Sequence, residues 1–116
     1  MPPSNADPFA DVQVGAGRAR ARVRPERAAA LCAGHFPGDP IVPGAALVAL
    51  MTELAGTLVD GADLAAVDRC TFRRRVHPDA TILVAAERID ATHVEARIEA
   101  GGALAAAARL RYRRIS

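Results

Sequence analysis

The chain has no tryptophan, one tyrosine and three phenylalanines, so aromatic residues make up only 3% of its 116 positions. Its core must therefore be built from alanine, valine, leucine and isoleucine, within a hydrophobic content of 51%. The same scarcity argues against nucleic-acid binding, which relies on stacked aromatics, and a net charge of +2 provides no broad basic field. Cysteine is as scarce: Cys32 and Cys70 cannot make a disulfide framework. Taken with His35 and His77 they match no structural zinc spacing, so neither a metal nor another cofactor is expected. No apolar run reaches the roughly 20 residues of a membrane span. The opening Met1 to Pro8 has no basic region followed by an apolar stretch, so no signal peptide is expected and the cytoplasm is the expected location. A chain of this length suffices for one core and is too short for two. The expectation is one domain over residues 1–116, with 1–8 as a loose, flexible tail.

Proline and glycine are concentrated in one stretch, Gly34-His35-Phe36-Pro37-Gly38-Asp39-Pro40-Ile41-Val42-Pro43-Gly44. Each proline removes an N–H and fixes φ, and each glycine permits angles other residues avoid, so this is a loop of defined shape. Directly after it, Ala45 to Val59 is a strong helix former, apolar on nearly every face, and is expected to be buried all round.

The remainder reads as strands. Val12 and Val14, then Ala19, Ala21 and Val23, alternate with polar residues, and the phase changes across Gly15-Ala16-Gly17. That change indicates a hairpin turn or a bulge. Pro25 to Ala33 is a short helical or irregular lead-in, and Asp60 to Asp63 a turn. Strands are expected over Leu64–Val76, Thr81–Ile89, His93–Ala100 and Ala103–Ile115. Two strands, an apolar helix and four antiparallel strands make an α+β fold in which the sheet curls around the helix.

The loop and the helix that follows it closely resemble the hot-dog fold beta-hydroxyacyl-acyl-carrier-protein dehydratases of fatty-acid and polyketide synthesis. Asp68 to Val76, followed by His77-Pro78-Asp79-Ala80, looks like the strand-to-turn segment of that family, although its usual Pro-Gly-Asp is altered here. The resemblance implies a hydro-lyase in which His35 is the base that takes the proton next to a thioester carbonyl. A histidine is suited to this because its unperturbed pKa of ~6.5 leaves it largely neutral at physiological pH. The backbone N–H of Gly44 would polarise the carbonyl. Phe36, Pro43, Ala45 and the small helix side chains, including Ala49, would line the acyl channel.

One departure stands out: the acidic residue the family carries fourteen positions after the histidine is Ala49 here. Glu53 is the only ionisable side chain between Gly44 and Val59 and lies one turn further along the same helix face. Three outcomes follow from the resemblance. Glu53 acts as the acid from about 5.4 Å away. A related hot-dog subunit supplies the acid across a dimer interface. Or the chain is a non-catalytic acyl-binding or assembly subunit. A hot-dog thioesterase using Glu53 to activate water is a further alternative. The implied partners are an acyl-carrier-protein or coenzyme A thioester and a second subunit, identical or related, with the arginines at 73–75 and 109–114 suited to an acidic carrier. His77 and His93 are expected to be structural.

Overall fold

A computed structural model describes residues 7–32, 38 and 40–114 of the chain. Strands β1 (Phe9–Gly15) and β2 (Arg18–Val23) are joined by a two-residue turn. Ala16 and Gly17 there have φ of 52° and 75°. Two successive positive φ angles suit a tight turn between twisted strands, so the phase change is a hairpin. A bulge is present as well, where the β1–β2 register shifts between Ala10 and Gln13. The expected tail is shorter than 1–8 at its described end. Pro8 is buried, and its carbonyl accepts the Arg24 N–H at 2.8 Å.

Helix α1 (Pro25–Leu31) has a proline at its start, where a missing N–H costs nothing. Helix α2 (Gly44–Gly56) follows, then β3 (Ala62–Phe72), β4 (Ile82–Arg88), β5 (His93–Ala100) and β6 (Ala103–Arg114). The six strands form one antiparallel sheet in the order β1-β2-β4-β5-β6-β3. The chain therefore runs along α2 from one side of the sheet to the other, leaving β1 and β3 as edges.

The sheet folds over α2. Leu47, Leu50, Met51, Leu54 and Ala55 face it and are buried, against Val84, Val94, Ile98, Ala106 and Leu110. Small inward side chains on β5 and β6, namely Ala96, Ala105, Ala106 and Ala108, let the helix lie close to the sheet. Met51 and Leu54 have no exposed surface, and each such side chain is worth about 1.5–3 kcal/mol of transfer free energy. Tyr112, buried on β6, donates its hydroxyl proton to the Thr52 carbonyl at 2.9 Å and ties the sheet to the helix.

Helix α2 is not buried all round. Ala45, Ala49 and Glu53, at intervals of four, form an exposed strip on the face away from the sheet. One curved sheet covers one side of the helix, and among the described residues no second sheet covers the other. Strand β3 ends at Phe72, earlier than expected: Arg73 and Arg74 both donate their N–H to the Ala105 carbonyl as the chain leaves the ladder.

Candidate functional site

The segment that enters α2 is pinned from one side. The Val42 N–H donates to the Val76 carbonyl at 2.7 Å, and Val42 is buried. His77 lies 3.2 Å from the Pro40 carbonyl through Nδ1, which must carry the proton because a carbonyl only accepts. This contact ties the turn after β3 to the segment that enters α2. His35 and Phe36, with Pro37 and Asp39, lie outside the described residues.

Pro43 is the N-cap of α2 and makes no side-chain capping bond. The first N–H groups to bond back are those of Ala46 and Leu47, both to the Pro43 carbonyl. The N–H groups of Gly44 and Ala45 thus come before the hydrogen-bond ladder begins, as the first donors of any helix do. Together with the partial positive charge of the helix start, they are suited to a carbonyl oxygen that gains negative charge.

Gly44 is a glycine for want of space. Its φ is not in the left-handed region. A Cβ built there would lie 3.2, 3.3 and 3.6 Å from the Cζ, Cε1 and Cε2 atoms of Phe72. Three adjacent ring carbons at nearly equal distance mean that the ring face lies over the glycine; an edge-on ring would leave the flanking carbons well behind the leading one. The space freed by the missing side chain is thus taken by this ring, whereas the sequence suggested only a substrate there. Phe72 is itself 53% exposed. Sequence reasoning assigned it no role. The clue was an aromatic side chain, one of four in the chain, inside an arginine-rich segment.

Ala49 and Glu53 follow Gly44 along the exposed strip, and Glu53 is the carboxylate of α2. Although the residue is exposed, the protein around its carboxyl group raises the pKa by desolvation. Asp7 raises it further and Arg27 opposes the shift. The carboxyl group therefore has α1 and the start of β1 as its charged neighbours.

Other reactive groups have structural explanations. Burial pushes the thiols of both Cys32 and Cys70 up, away from the thiolate a nucleophile needs. No cluster among the described residues could hold a metal ion. His93 sits at the β4–β5 turn, where Asp90 accepts the N–H groups of Thr92 and His93, both at 2.9 Å, and contacts His93 Nδ1 at 3.0 Å. The Thr92 bond and then the His93 contact hold the Asp90 carboxyl far below its usual range. Depressions of about 590 and 360 Å³ lie on the outer sheet face and adjoin Arg97. Neither includes a residue of α2. None of the helices described is long and apolar enough to cross a membrane.

Comparison with known proteins adds to this geometry. Residues 11–109 match a family profile described as ApeI-like, ApeI dehydratase. The 3-hydroxyacyl-[acyl-carrier-protein] dehydratase FabZ of Jannaschia sp. (strain CCS1) is 44% identical over 55 residues, covering 39% of this chain and 34% of that protein. FabZ of Thermus thermophilus is 38% identical over 63 residues, covering 47% of this chain and 44% of that protein. The matches thus span less than half the length of these relatives. Among solved structures, the dehydratase heterocomplex ApeI:P from Xenorhabdus doucetiae superposes with a TM-score of 0.76 at 20% identity, over 88% of this chain and 92% of that one. PH1136 from Pyrococcus horikoshii gives a TM-score of 0.76 at 12% identity, over 94% and 85%. At such identities the likeness concerns the fold alone, which is the α+β hot-dog fold.

Proposed function

This chain belongs to the ApeI-like dehydratase family, and on that footing we propose that it takes part in dehydrating a (3R)-hydroxyacyl thioester in fatty-acid or polyketide-type synthesis. The thioester is carried by an acyl carrier protein or by coenzyme A. His35 removes the proton from the carbon next to the thioester carbonyl. The Gly44 N–H holds the oxygen on which charge accumulates. An acid protonates the 3-hydroxyl, which departs as water as the double bond forms. Supporting this reading above all is the position of Gly44: it opens α2 ahead of the ladder, whose first bonds are those of the Ala46 and Leu47 N–H groups to the Pro43 carbonyl.

The source of the acid separates two readings. In one, Glu53 protonates the leaving hydroxyl, and its raised pKa suits a proton donor. In the other, a related hot-dog subunit supplies a carboxylate over the strip of Ala45, Ala49 and Glu53. The exposure of that strip favours the second reading, because a site half open to water shields its reactants poorly. The ApeI:P structure is described as a heterocomplex, which is consistent with such an arrangement. Arg73 and Arg74, next to Phe72, suit an acidic carrier protein.

Hydration of a trans-2-enoyl thioester by the purified chain, alongside His35→Ala and Glu53→Gln, tests both. Turnover lost in both variants assigns the acid to Glu53. Turnover that survives Glu53→Gln rules Glu53 out as the acid, and turnover that appears only when a second hot-dog subunit is added assigns the acid to that partner. Silence with every such subunit rejects the enzyme reading.

A further inference from the structure

We propose that Phe72 is a substrate-positioning residue, the wall that holds a thioester carbonyl against the first N–H groups of α2. The inference rests on the dehydratase reading above and extends it to a residue outside the motif loop.

Three observations carry it. First, one face of the ring is fixed: it lies over Gly44, within 3.2 to 3.6 Å of the position a Cβ would take. Second, the residue is 53% exposed, although a phenyl group with a free choice of position would be buried, as Phe9 is at 5%. Third, the backbone that bears it is rigid on both sides. Phe72 pairs with Ala106 in the sheet. After it, the N–H groups of Arg73 and Arg74 share the Ala105 carbonyl, and Val76 is bonded to Val42 at the entrance to α2. The ring is thus clamped between the sheet and the helix start, with apolar surface left facing outward.

An apolar wall at this place has two physical effects. It excludes water from the side of the helix start that it covers, which strengthens a hydrogen bond from a backbone N–H to a thioester oxygen. It also offers a flat surface for the planar thioester to lie against, which fixes the approach of the carbonyl. Its exposure separates this role from a purely structural one, because a half-exposed ring contributes little to the core.

The test uses trans-2-octenoyl pantetheine thioester, whose conjugated absorption moves to longer wavelength when its carbonyl is polarised. The absence of tryptophan and the single tyrosine keep the ultraviolet background low. Affinity and difference spectrum are measured in a His35→Ala background, which leaves the probe unhydrated and serves as the parent, for the full chain, Phe72→Leu and Phe72→Ala, each with its melting temperature. The parent is expected to bind with a red shift. Phe72→Ala is expected to bind about tenfold more weakly or worse, with the red shift lost and melting nearly unchanged, and Phe72→Leu to lie between. A Phe72→Ala protein that binds within twofold of the parent with the same red shift overturns the assignment while leaving the dehydratase reading intact. If the alanine variant melts early, Phe72→Leu decides: parental affinity and red shift in that variant overturn the wall as well. A parent that binds no acyl thioester brings down the dehydratase reading and this role together.

Discussion

The face of the Phe72 ring covers the bare α-carbon of Gly44, at the first turn of the central helix. This pair explains a glycine that neither φ nor a turn requires. In the parent, Gly44→Ala gains helix propensity but must push the ring by a few tenths of an ångström. In a Phe72→Ala background the same substitution should stabilise the fold by about 0.5–1 kcal/mol, since only the gain in helix propensity remains, which comes from the lower conformational entropy of the unfolded chain. A double-mutant cycle by urea denaturation checks this. Equal effects of Gly44→Ala in both backgrounds would show that the ring does not set the choice of glycine.

The hairpin turn stores a smaller strain. Ala16 has a φ of 52°, which costs a residue with a Cβ about 1 kcal/mol. Ala16→Gly should therefore stabilise the chain by several tenths of a kcal/mol despite the added freedom of the unfolded state. A rise in melting temperature is the expected result, and a fall would mean that the turn carries no strain.

Tyr112 predicts behaviour in alkali. Burial pushes its hydroxyl from 10.0 up to about 12. The neutral, hydrogen-bonded form is thus favoured by folding. Its contribution is fully present below pH 10 and is lost as the pH rises from 10 through about 12. Tyr112→Phe, which removes the bond to the Thr52 carbonyl, should cost about 0.5–1.5 kcal/mol at pH 8 and flatten this alkaline decline. Denaturation midpoints from pH 8 to 12 distinguish the two proteins.

Glu53 and Ala49 separate chemistry from folding. Glu53 is exposed, and its raised pKa means that ionisation is slightly disfavoured in the folded state. The ionised form costs stability above pH 4.5 and the protonated form does not. Glu53→Gln should therefore leave stability at pH 7 unchanged or slightly higher, and it should lower activity by about 10² to 10⁴ if Glu53 is the acid. Ala49→Glu adds a carboxylate to the exposed strip one turn nearer Gly44. It should raise hydration by the chain alone by about 10² if an acid at that position is what is missing.

The edge strand β3 leaves Leu64 and Val67 exposed. An uncovered edge with apolar side chains is a place for another strand, so a dimer is expected at micromolar concentration. Val67→Glu should shift sedimentation towards the monomer without loss of β-sheet signal. A parent that sediments as a stable monomer would argue against a shared site.

Much of the architecture was already legible in the pattern of residues. Strand β5 spans His93–Ala100 as its strict alternation required, because one face meets α2 and the other meets water. The helix that follows the proline-rich loop, the turn at Ala16-Gly17 and the family were legible too, since each depends on local chemistry or on a short motif. The strand order, the exposed strip of α2 and the Phe72–Gly44 contact were not. They arise when one curved sheet closes over one side of a helix. Whether Ala49 faces leucine or water, and why Gly44 must lack a side chain, depends on residues far away in sequence that only the tertiary fold brings near.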